Sequence, residues 1–190
     1  MRSAELIGNV AVIVILAFVI FVVVSLVRAV RIVPQSQAYV VERLGRFQAV
    51  MKGGFHLFVP FVDRVAARID LREQVANFPP QPVITADQAM VSIDSVIYFQ
   101  ITDPRSATYE VANFLQAIEQ LTATTLRNLI GSLDLEQTQT SRESINKQLR
   151  GVLDEATGPW GIRVTRVELK SIEPPPRVLA AMEQQITAER

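Results

Sequence analysis

Residues 91–104 read Val-Ser-Ile-Asp-Ser-Val-Ile-Tyr-Phe-Gln-Ile-Thr-Asp-Pro, and they mark a change of period in the chain. Val91, Ile93, Ile97, Phe99 and Ile101 fall on one side of an extended segment, with Ser92, Asp94 and Gln100 on the other, which is the pattern of a half-buried strand. Asp103-Pro104 closes that strand. Beyond it Phe114, Ile118, Leu121, Thr125, Leu126 and Leu129 recur at helical spacing until Gly131. Strands therefore precede helices along the chain.

Toward the C-terminus, Thr140 with Glu143 forms a capping-box pattern that predicts the start of a second helix. Its apolar positions are Ile145, Leu149, Val152, Leu153 and Ala156, and Gly158-Pro159 stops it. Trp160 to Ile172 returns to strand character. The apolar phase slips between Val164 and Val167, which predicts a bulge near Thr165-Arg166. Glu173-Pro174-Pro175-Pro176 then resets the chain, and Arg177 to Arg190 reads as the start of a helix with no closing Gly, Asn or Pro. Val178, Met182 and Ile186 give it a narrow apolar stripe suited to association with other helices. The expectation is that the natural protein continues as a long coiled-coil-type helix.

Toward the N-terminus, Val62 to Leu71 reads as a strand, and Phe78-Pro79-Pro80-Gln81-Pro82 is extended because each Pro restricts the residue before it. This part reads as strands: Ser36 to Phe47 carries Tyr39, Val40 and Val41, Gly53-Gly54 makes a turn, and Phe55 to Val59 is a short apolar run ended by Pro60. Leu6 to Val27 holds 22 consecutive residues without a charge. As a helix it would reach roughly 33 Å, against a hydrocarbon thickness of about 30 Å. This predicts a single transmembrane helix, anchored by Leu6, Ile13, Leu16, Ile20, Val24 and Val27. Arg28, Arg31, Arg43 and Arg46 follow the run while Arg2 alone precedes it, so the bulk of the chain is expected on the cytoplasmic side of the cell membrane. The expected organisation is an anchor at 1–31, a domain of strands then helices at 32–174 and the start of a long helix at 175–190.

From Arg31 onward there are 17 basic and 18 acidic residues. A balance this even gives no nucleic-acid surface. The chain has no cysteine, which excludes Cys-His catalysis and Cys-rich metal sites and is compatible with a reducing compartment. His56 is the one histidine, so a Ser-His-Asp triad would have to use it. No Gly-x-Ser-x-Gly elbow, His-Glu-x-x-His pair or Gly-rich phosphate loop occurs. A strand histidine packed near the turn is the simpler reading of His56. Asp154 and Glu155 project about 100° apart on a helix and so cannot act as a facing dyad; a solvated helix surface is expected. Arg28 and Arg31 read as topology anchors, and Arg43 and Arg46 beside Glu42 as surface ion pairs or contacts to a neighbouring copy. The run Phe55, Leu57, Phe58, Val59, Phe61 and Val62 has two readings, a core strand or shallow insertion into a leaflet.

Several short motifs fall in one order along the chain. They include Val33-Pro34-Gln35, Glu42-Arg43-Leu44-Gly45-Arg46, Gly53-Gly54-Phe55-His56, Val59-Pro60-Phe61-Val62-Asp63 and Asp70-Leu71-Arg72-Glu73. Ile101-Thr102-Asp103-Pro104, Leu126-Arg127-Asn128-Leu129-Ile130-Gly131, Trp160-Gly161-Ile162 and Ile172 to Pro175 continue the series. Together they resemble the SPFH (band 7) superfamily of stomatins, prohibitins and flotillins, closest to bacterial stomatin-like proteins. Several relatives place a Pro between the two turn glycines, where Gly53 and Gly54 are adjacent here. The resemblance implies a non-enzymatic membrane scaffold with no cofactor, metal or catalytic residue: an α+β domain on the membrane surface, a long helix, and many copies joined in a ring or cage around a membrane microdomain. It also implies regulation of membrane-bound AAA proteases and NfeD-type membrane partners. In that setting Phe55, Leu57, Phe58 and Phe61 are expected to contact the membrane. The alternatives are a monomeric or small-oligomer adaptor that carries a partner to the membrane and, least supported, a membrane-tethered hydrolase.

Overall fold

The computed structural model describes residues 2–173, with side-chain surroundings over 13–172. The chain divides into two compact units, Met1–Asp70 and Leu71–Arg190. Val178, Met182 and Ile186, expected to associate helices, lie outside the described residues.

The first unit opens with α1 (Arg2–Ala29). Among the described residues no helix is long and apolar enough to cross a membrane. The expectation of a single transmembrane helix is therefore corrected to an apolar helix preceding an α+β fold. Leu6 lies before the described side chains, while Ile13, Leu16, Ile20, Val24 and Val27 are all exposed on α1.

Five strands follow: β1 (Val30–Val33), β2 (Gln37–Arg43), β3 (Arg46–Met51), β4 (Gly54–Leu57) and β5 (Asp63–Asp70). β1 and β4 form an antiparallel ribbon, and β3-β2-β5 an antiparallel sheet with β2 central. Val33, Val41, Met51 and Phe58 form the buried cluster, with Tyr39 and Val65 packed against it. The stretch Ser36 to Phe47, read as strand, holds β2 and the start of β3, joined as a hairpin. Leu44 (φ 50°) and Gly45 (φ 79°) both take positive φ between the paired Arg43 and Arg46, the two-residue turn whose twist matches a hairpin.

The second unit is built on β6 (Gln74–Ile84), β7 (Met90–Ile101) and β8 (Ile162–Glu173), antiparallel with β7 in the middle. As its alternation predicts, β7 buries Val91, Ile93, Ile97, Phe99 and Ile101. The prolines sit on an edge strand, and the register jumps from Phe78 to Gln81, so Pro79 and Pro80 fall at a bulge where no ladder donor is missed. The bulge expected near Thr165-Arg166 is present: Tyr98 pairs with Arg166 and Phe99 with Val164, leaving Thr165 as the extra residue. A second one, unexpected, leaves out Lys170 between Leu169 and Ser171.

The helices are α2 (Pro104–Tyr109), α3 (Phe114–Gly131), α4 (Leu135–Thr140) and α5 (Arg142–Thr157). α3 buries Ile118, Thr122, Leu126 and Ile130, and α5 buries Ile145, Leu149, Leu153 and Thr157. The expected Thr140-Glu143 capping box does not form. Thr140 lies inside α4 and its hydroxyl donates back to the Glu136 carbonyl, while the box is made one helix earlier by Asp134 and Gln137. α5 ends at Gly158, and Gly161 turns the chain into β8 with φ +67°.

Candidate functional site

The first unit carries its apolar residues outward as well as inward. In the β1–β4 ribbon Val30 lies opposite Leu57 and Ile32 opposite Phe55. Positions two apart on one strand, and directly paired positions across two, share a face. All four are exposed, Ile32 at 76% and Leu57 at 72%. The ribbon is thus apolar on a whole face that nothing in the first unit covers. Arg31 and His56 are paired on its other side.

Two loops add to this surface. The β2–β3 hairpin ends on Leu44, 82% exposed at its tip. The β4–β5 connection carries Val59 and Phe61, the latter 76% exposed and at φ 72°, a conformation uncommon for a bulky side chain. Phe61 stacks on Phe21 of α1 with ring centroids 5.9 Å apart. The Leu44 N–H donates to the Val62 carbonyl at 3.3 Å, joining hairpin tip to loop, and the Phe58 N–H donates to the Ala29 carbonyl at 2.7 Å, joining loop to the end of α1.

An ion pair holds the loop in this form. Arg43 donates from Nε to Asp63 Oδ1 at 2.6 Å and from Nη2 to Oδ2 at 3.1 Å. Asp63 Oδ2 also accepts the Val59 N–H at 2.9 Å, and the Asp63 N–H donates to the Val59 carbonyl at 2.9 Å. The Asp63 carboxylate is buried while the guanidinium reaches solvent. Arg43 holds this carboxyl below the usual carboxylate range, and burial opposes that shift. The fork-to-carboxylate geometry closes the loop around the strained Phe61. Arg43, expected to pair at the surface beside Glu42, thus reaches across twenty residues to fix the loop.

The turn glycines are needed for space and conformation. A Cβ on Gly53 would lie 2.5 Å from the Gln35 Cα, and Gly54 takes φ +130°. Phe58 departs from the expected contact set: it is 8% exposed, points into the core, and has the Arg31 guanidinium 5.6 Å over its ring. Phe55, Leu57 and Phe61 are exposed, and so is Val59. His56 makes a hydrogen bond through Nε2 with the Lys52 carbonyl, a role in holding the turn.

The second unit offers less. Asp154 is not a solvated residue; its Oδ1 accepts the Val164 N–H at 3.0 Å, and Asn146 Oδ1 accepts the Leu169 N–H at 3.2 Å, so α5 caps the outer edge of β8. An open groove of about 470 Å³ lies between them, lined by residues of mixed charge including Lys147, Arg150, Arg166 and Glu168. Asp94 accepts from the Ser171 N–H and hydroxyl, which lower its carboxyl. Among the described residues no group of His, Asp or Glu is placed to hold a metal ion.

The chain matches the SPFH domain / Band 7 family over residues 31–190. It is similar to an uncharacterized protein of Mycobacterium tuberculosis, 56% identical over 184 residues, covering 96% of this chain and 48% of the relative. It is also similar to the mitochondrial stomatin-like protein 2 of Homo sapiens, 40% identical over 158 residues (83% of this chain, 44% of the relative), and to a stomatin homolog of Pyrococcus horikoshii, 39% identical over 171 residues (90% and 64%). The chain spans about half the length of the first curated relatives it matches. With a match that takes in both sheets and runs over most of the sequence, this chain belongs to the SPFH domain / Band 7 family.

Proposed function

We propose that this chain is a non-enzymatic, membrane-associated scaffold. Its first unit lies against the lipid surface of the cell membrane, and its α+β units stand on the cytoplasmic face. Copies join into a large ring or cage that organises a membrane microdomain and limits the access of a membrane-bound AAA protease to its substrates, with an NfeD-type membrane protein as a further partner. The observation that carries the reading is the apolar surface around the end of α1, where Ile32, Leu44, Phe55, Leu57, Val59 and Phe61 are exposed together. Isolated exposed apolar residues are ordinary, but a whole apolar ribbon face flanked by apolar loop tips marks an interaction or membrane surface. Family membership supports the scaffold part of the reading.

The test is the particle mass of the protein extracted in a mild detergent. A species of megadalton order supports the ring. A monomer or dimer stable across several detergents overturns it in favour of the adaptor.

A further inference from the structure

Between residues 28 and 70 there are seven basic and three acidic residues, a net charge of +4, while positions 71–190 hold eleven basic and fifteen acidic, a net charge of −4. The near-neutral whole hides two oppositely charged halves. Exposure sharpens the contrast within the first unit. Its exposed charged residues from 28 to 70 are Arg28, Arg31, Arg46, Lys52, Arg64 and Arg68, all basic. The acidic ones are withdrawn: Asp63 is buried against Arg43, and Glu42 and Asp70 are half-buried.

The basic residues are also interleaved with the apolar tips. Arg46 follows Leu44 by two positions, Lys52 precedes Phe55 by three, and Arg64 follows Phe61 by three. Arg46, Lys52 and Arg64 thus stand within three positions of an exposed apolar tip, and a long cationic side chain can keep its stem in apolar surroundings and its charge at headgroup level.

From this arrangement we propose that the first unit selects an anionic lipid surface, with Arg46, Lys52 and Arg64 meeting the headgroups while Leu44, Phe55, Leu57 and Phe61 sit in the interface. This rests on the membrane-docked reading above and names the lipid class it requires. A second copy presenting the same face would meet it with like charge, whereas anionic headgroups complement it.

The chain has no cysteine, so a single Cys gives a unique labelling site. Leu44→Cys and, separately, Leu57→Cys in the full chain carry an environment-sensitive fluorophore. Each is reconstituted with vesicles of phosphatidylcholine, or of phosphatidylcholine and phosphatidylglycerol in equimolar mixture, containing lipids spin-labelled near the headgroup. Val19→Cys on α1 reports that the chain is bound at all. The expected result is quenching at positions 44 and 57 in the mixed vesicles, its loss in high salt, and its loss when Arg46→Gln, Lys52→Gln and Arg64→Gln are combined, with quenching at 19 retained throughout. Equal quenching at 44 and 57 in both vesicle types, insensitive to salt, overturns the anionic preference and leaves the docking surface standing. Quenching at 19 with none at 44 or 57 in either vesicle overturns the docking surface itself, and this proposal with it.

Discussion

Asp63 is the residue on which the exposed surface turns, because one buried carboxylate joins the Arg43 guanidinium to the Val59 amide and so sets the path through Phe61. Asp63→Ala should cost about 1–3 kcal/mol, since it removes the acceptor of the Val59 N–H and the partner of Arg43. Chemical denaturation reads the loss, and quenching of a label at Leu57 should fall with it. The folded carboxyl titrates below its unfolded value of about 3.9, so its contribution is fully present above that value and is lost as pH falls through the lower, folded one. In Asp63→Asn that acid-dependent component should vanish from the stability profile below about pH 4. Gly161 is the second such residue. Its φ is +67°, a Cβ would stand 2.5 Å from the Asp103 carbonyl oxygen, and its own carbonyl accepts from Thr102 and Asp103. Gly161→Ala should therefore lower stability by about 2 kcal/mol or more, read as a drop in thermal midpoint.

At the scale of elements, the parts of the second unit with a strong period were legible and those fixed by local chemistry were less so. The bulge in β8 could be read because Val164 and Val167 both need the core face, which an unbroken period of two cannot give them. Deleting Thr165 leaves Val164 and Val167 two positions apart on one face of a regular strand, with the pairing to β7 unchanged; the expected outcome is that cooperative unfolding is retained, checked by calorimetry. The hairpin at Leu44-Gly45 escaped because Leu is not a residue that announces positive φ, and only the Arg43–Arg46 pairing reveals the turn. Thr140 and Glu143 have the right spacing for a capping box, but α4 already occupies that stretch, so Thr140 bonds within it. Sequence spacing names a cap without knowing where the helix begins.

At the scale of the whole molecule, the charge separation between the two halves and the outward apolar surface of the first are the features that function would use. Phe55→Ser with Leu57→Ser should leave thermal stability within about 0.5 kcal/mol, because both side chains are exposed. The same pair should abolish quenching at Leu44 in anionic vesicles. A large loss of stability instead would place these residues in the core and remove them from the docking surface.

The order of strands and helices, the buried face of β7, the bulge at Thr165 and the family itself were all determined by the sequence, because period, turn residues and motif order are local properties of a chain. The apolar run 55–62 was read with its two alternatives open, and its division into buried Phe58 and exposed Phe55, Leu57, Val59 and Phe61 was decided by tertiary structure. So were the Arg43–Asp63 pair and the burial of the Asp63 carboxylate, with Glu42 and Asp70 left half-buried. The physical reason is that composition counts every charge and every apolar group alike, whereas burial and pairing depend on which residues distant in sequence meet in space.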